Sequence, residues 1–216
     1  MRNTVIALTV LFLLAGAAQA DWYSVDFTTL NNSGVTGTAL LNLTGNQLDV
    51  EILAIGVEPD QLHAQHIHGL SDPGGTALNS TVPNLAEDDD GDGYIEVAEG
   101  AETYGPVLLP LTSPQGDANA FPTPAIEAIS FEETYLLSDD ELADLLPLDK
   151  RIIVLHGLSI CCDGVGEGTP GEVDGTPGYK VPLPVAAGEI VPVVPEPVSL
   201  VLLVSGGALL LKRRRR

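Results

Sequence analysis

The 216-residue chain sets 30 acidic residues against 9 basic ones, a formal charge of −21, and is 44% hydrophobic. So acidic a chain is repelled by phosphate backbones and anionic lipid, which excludes nucleic-acid binding and electrostatic attachment to membranes. Its two cysteines, adjacent at Cys161 and Cys162, exclude a disulfide scaffold: neighbours across a trans peptide lie about 3.8 Å apart, where a disulfide wants roughly 4.4–6.8 Å.

Met1 to Ala20 carries Arg2, an apolar stretch from Val5 to Ala15 and a small-residue ending, Ala18-Gln19-Ala20. That order is the pattern of a secretory signal peptide and implies export. The segment expected to fold is 21–193, where three basic residues (Lys150, Arg151, Lys180) face 29 acids, a charge near −26. About 170 residues suit one domain with a real core. In an exported, oxidising setting the cysteine pair could be thiols, a strained redox couple or soft metal ligands; no chemical role is the plainest reading.

Short strands follow: Trp22–Phe27, then a turn at Asn31-Asn32-Ser33-Gly34, then Val35–Leu43. After Thr44-Gly45-Asn46 the stretch Gln47–Ile55 alternates, with Leu48, Val50, Ile52 and Ala54 on one face. A histidine-bearing strand comes next, Leu62-His63-Ala64-Gln65-His66-Ile67-His68-Gly69. Ser71 to Gly105 reads as a long loop, Gly105–Leu111 as a strand, and Ala128–Leu137 as another. Ser138-Asp139-Asp140-Glu141 is a capping box that opens one short helix, stopped by Pro147. Arg151–His156, apolar on both faces, is expected to be a covered central strand. A second long loop, 157–178, leads to strand material at Tyr179–Pro184 and Glu189–Val193. Strands at this spacing predict an all-β fold, an antiparallel Greek-key sandwich or barrel with long loops.

Two patterns in this chain belong to metal chemistry. Along a strand alternate side chains share a face, so His66 and His68 point one way and His63 the other. Two imidazoles on one face are half a metal site, which His156 would complete for copper or zinc if its strand lies alongside. The second pattern is Asp88 to Glu99, which fits Asp-x-Asp-x-Asp-Gly-x5-Glu at each fixed place. Asp88, Asp90 and Asp92 would give carboxylate oxygens to calcium, Tyr94 its carbonyl, Glu99 a bidentate pair, and Glu96 a contact through water. Pro83 before the loop and Gly100 after it argue against flanking helices, so a lone calcium loop of structural role is expected.

The far end reads Val194-Pro195-Glu196-Pro197, then the apolar run Val198–Leu211, then Lys212 and four arginines. As a helix the run would be roughly 21 Å long, a short transmembrane anchor with its basic end cytoplasmic. This order resembles the PEP-CTERM sorting signal, over 194–216. The resemblance implies an exosortase-type partner, transient anchoring in the inner membrane and a final place at the cell surface or outside, with exopolysaccharide or matrix as possible company.

Two further resemblances rest on the body. Gly34-Val35-Thr36-Gly37-Thr38-Ala39, Leu48-Asp49-Val50-Glu51, His66-Ile67-His68-Gly69 and Gly105-Pro106-Val107 resemble the CHRD domain, which implies a β-sandwich and no settled activity. His63, His66 and His68 with the later His156 are similar to copper/zinc superoxide dismutase. That likeness implies His66, His68 and His156 as copper ligands, with His63 behind them. No histidine stands in 71–105, where that family keeps its bridging and zinc ligands, and no arginine lies near Ala186-Ala187-Gly188. The expected function is therefore an exported surface or matrix β-domain with a calcium-ordered loop and no catalysis. The alternative is a copper-dependent redox protein of dismutase type.

Overall fold

The structure, a computed structural model, describes residues 21–117, 119–161 and 170–194. The strands are β1 (Asp21–Thr29), β2 (Thr36–Thr44), β3 (Gln47–Ile55), β4 (Gln65–His68), β5 (Val107–Pro110), β6 (Ala128–Leu136), β7 (Ile152–Ile160), β8 (Gly178–Glu189) and β9 (Val191–Pro192). Two α-helices accompany them, α1 (Val97–Tyr104) and α2 (Asp139–Leu145), with a short 3₁₀ turn at Leu148–Lys150. The strands form one mostly antiparallel sheet in the order β5-β4-β7-β8-β1-β2-β3-β6, with β9 pairing β1 beside that path. It curls into a half-barrel because β1 serves both walls: Asp21–Phe27 pair with β2, while Thr28 and Thr29 pair with Ala187 and Ala186 of β8.

Period-two patterning sets which faces meet. In β3, Leu48, Val50, Ile52 and Ala54 are buried while Gln47, Glu51, Leu53 and Ile55 are exposed. They pack inside the curl with Leu41, Val25, Phe131, Tyr135, Ile67, Ile153 and Leu155. Each valine, leucine, isoleucine or phenylalanine among them contributes roughly 1.5–3 kcal/mol on burial. β7 is covered on both faces. Ile153 and Leu155 enter this main core, whereas Ile152 and Val154 join Leu30, Ile95, Tyr104 and Ala187 in a second cluster outside the sheet.

Three expectations need correction. The stretch after the acidic loop is helical, although Gly100 spoke against it: Tyr104 folds back so that its hydroxyl donates to the Val97 carbonyl at 3.2 Å. A Cβ on Gly100 would come within 2.3 Å of that ring, so glycine here makes room for an aromatic instead of ending the helix. The last strand is a continuous β8 over Gly178–Glu189, and only Val191–Pro192 remain for β9. Ala186 and Ala187 are too small to show a β pattern, but the sheet buries both completely. β7 also runs on to Ile160, through register shifts on either side of His156. Among the described residues no helix is long and apolar enough to cross a membrane. The signal at 1–20, the anchor at 198–211 and Cys162 lie outside the described residues.

Candidate metal centre

β4 and β7 are hydrogen-bonded neighbours, with His66 opposite Val154 and His68 opposite Ile152. Side chains opposite one another in an antiparallel pair share a face. His156, two residues beyond Val154, therefore projects on the same side as both β4 histidines, and its amide is held by the Ala64 carbonyl at 2.8 Å. The ring centroids lie 5.5 Å (His66–His68), 5.3 Å (His66–His156) and 5.9 Å (His68–His156) apart. One nitrogen from each comes within 4.8 Å of the other two. The convergence that spacing alone could not guarantee is present.

Hydrogen bonding identifies the inward atoms. A carbonyl can only accept, so His68 Nδ1 donates to the Gly105 carbonyl at 2.9 Å, and His156 Nδ1 donates to that of Pro182. Their Nε2 atoms keep lone pairs, and both are buried without a partner, as is His66 Nδ1. A buried nitrogen with no partner ordinarily costs stability. Three of them facing one another are what a transition metal would satisfy. Burial pushes all three rings below the ordinary histidine range, His66 and His68 to about 4 and His156 to about 3. For His156 the neighbouring rings add to the effect, and the bond to Pro182 opposes it. All three are thus neutral at pH 7, the form that coordinates.

Several supporting residues escape sequence reasoning. The Tyr104 ring stands edge-on to His68 at 4.7 Å, and that of Phe121 to His66 at 5.1 Å. Gly105 offers its carbonyl to His68 from φ +84°, and a Cβ there would strike the Gly69 backbone at 2.4 Å. The Gly105-Pro106 pair marks a special backbone in the sequence, but nothing there says which ring its carbonyl serves. His63, wholly buried, sets one ring nitrogen 2.9 Å from the Glu58 carbonyl and the other 3.0 Å from the His156 carbonyl, beside the register shifts of β7 against β8.

The acidic loop forms a second group. Carboxylate oxygens of Asp88, Asp90 and Glu99 lie within 4.8 Å of one another. Asp88 accepts from the amides of Gly91, Asp92 and Gly93, which wraps the loop around it. Asp92 Oδ1 accepts from the Tyr94 amide, while its Oδ2 is buried without a partner. Burial, then the charges of Asp90, Glu96 and Asp88, pushes Asp92 up to about 6. The Glu96 carboxylate accepts from the amides of Val173 (2.8 Å) and Glu99, linking the loop to α1 and to the segment before β8. Ile95 is clamped at both backbone atoms by the Asn31 carboxamide, at 2.7 and 2.9 Å. Glu99 closes the loop by accepting from Asp89 and joins it to α1 by accepting from the Glu96 amide.

Neither a scan against models of protein families nor a search of curated proteins finds a match to this chain.

Proposed function

We propose that this protein is an exported, envelope-associated Greek-key β-sandwich that holds a transition metal, copper or zinc, at His66, His68 and His156. In this reading calcium, held by Asp88, Asp90, Asp92 and Glu99 with the Tyr94 carbonyl, is a structural ion for the loop that runs into α1. Export follows from the two chain ends, and surface or matrix attachment from the likeness of 194–216 to a PEP-CTERM signal. One observation carries the metal reading: three neutral imidazole nitrogens from two strands converge, buried and unpartnered. Bound there, the metal would supply Lewis-acid or one-electron chemistry. The residues themselves orient the donors through Gly105 and Pro182 and shield them with Tyr104 and Phe121.

The test is to load the full chain with copper or zinc and weigh it by native mass spectrometry. One transition-metal ion per chain is expected, and none in His156→Ala; unchanged uptake in that variant defeats the reading. A dismutase-type activity is the second reading, favoured by the ligand set. The charge around the centre speaks against it. Lys180, near the start of β8, is paired with Asp174 at 2.8 Å, and Arg151, whose carbonyl accepts from Ile190 just past β8, is buried with its guanidinium on the carbonyls of Leu145, Leu70 and Asp144. Both of these cations are already engaged, which weighs against an anionic substrate. Turnover of superoxide by the copper-loaded chain would reverse that preference.

A further inference from the structure

Copper can be held in two charge states, and the surroundings of the three imidazoles discriminate between them. Imidazole is an uncharged donor, so the site brings no negative charge of its own. The hydrogen bonds that orient His68 and His156 run to the backbone carbonyls of Gly105 and Pro182. A carboxylate in that position would make the ring a stronger donor and help to neutralise a dication, whereas a carbonyl does so less. The aromatic rings of Tyr104 and Phe121 wall two of the histidines, and His68 and His156 are each only 3% exposed. The desolvation cost of an ion rises with the square of its charge, so such surroundings penalise a dication about four times as heavily as a monocation. In a chain of charge −21 these neutral surroundings stand out.

We propose that the centre is built for copper in its monovalent state, held by His66 Nδ1, His68 Nε2 and His156 Nε2 in preference to divalent copper or zinc. The inference rests on the three-imidazole reading above and adds the charge state that the pocket selects. Phe121 is its specificity residue. It lies against His66, the one ring of the three that is only half-buried, and keeps charge and water from the centre on that side.

The experiment measures dissociation constants of the full chain for cuprous, cupric and zinc ions, each against a chromophoric chelator, and the potential of the copper-loaded protein by spectroelectrochemistry. The cuprous ion should bind at least ten times more tightly than either dication. Phe121→Asp, which sets a carboxylate beside His66, should lower the potential by at least about 59 mV, a tenfold loss of cuprous preference for a one-electron couple. Phe121→Asn, of the same size and uncharged, should move it less. Zinc or cupric ion bound as tightly as cuprous ion overturns the proposal, and so does an unchanged potential in folded Phe121→Asp. The three-ion comparison on the unsubstituted chain decides even if that variant does not fold. If none of the ions is held, or His156→Ala binds as before, the three-imidazole reading itself fails and the proposal falls with it.

Discussion

His68 and His156 each spend one ring N–H on a backbone carbonyl, and that choice turns the other nitrogen toward its neighbours. The residues of this site were legible from the sequence, because alternation along β4 puts His66 and His68 on one face whatever the fold. Which nitrogen each ring presents was not, since the partner carbonyls of Gly105 and Pro182 arrive from other parts of the chain. The same burial gives a pH dependence. The folded-state values of about 4, about 4 and about 3 lie below the ordinary 6.5, so on acidification the unfolded chain takes up protons first. Stability of the metal-stripped protein is therefore whole above about pH 6.5 and is lost progressively toward about pH 4. Urea midpoints should fall from pH 7 to pH 5. In His66→Gln they should fall less steeply, and an equal slope would show that His66 is not desolvated as described.

At the level of elements, Arg151 ties together pieces that the sequence presents as unrelated. Its side chain is 2% exposed and donates to the carbonyls of Leu145 (3.0 Å), Asp144 (2.6 Å) and Leu70 (2.9 Å). It thereby satisfies the C-terminal end of α2 and anchors the segment that leaves β4 just after His68. In the sequence it is merely one of three basic residues in the body, because its partners lie 6, 7 and 81 positions away. Arg151→Met keeps most of the volume but strands those carbonyls in the interior. A loss of about 3 kcal/mol or more is expected in urea denaturation, with the slope unchanged. α2 itself was readable, since Ser138 and Glu141 form the expected capping box. α1 was hidden because Gly100 reads as a stop until Tyr104 is seen to lie over it.

Over the whole molecule the excess of negative charge has little internal relief: among the described residues one ion pair is found, Lys180 with Asp174. A divalent ion at Asp88, Asp90 and Glu99 would reduce the repulsion where it is most concentrated and would fasten α1, whose C-terminal Tyr104 and following Gly105 support His68. Calcium at about 10 mM, with a dissociation constant of about 10⁻⁴ M, would add about 2.7 kcal/mol. For a chain of this length that is a rise of roughly 5–10 °C in melting temperature at pH 7. Because Asp92 is raised to about 6, protons compete below that pH and the rise should shrink on going to pH 5. Calorimetry with and without calcium at the two pH values checks this, and no rise at pH 7 would remove calcium from the account. Asn31→Ala, which releases both backbone atoms of Ile95, should lower the rise as well.

By itself the sequence determined what is local: the alternation that makes β1 to β3 and β6, the cap of α2, the shared face of His66 and His68, and the spacing of the acidic loop. Each depends on the period of a strand or helix, or on hydrogen bonds a few residues long. Only the tertiary structure decided that β7 lies beside β4, that Tyr104, Gly105, Phe121 and Pro182 close around the rings, and that Asn31 clamps the loop from 64 residues away. Those contacts join distant segments whose pairing is selected by burial of the whole core, and no local period records it.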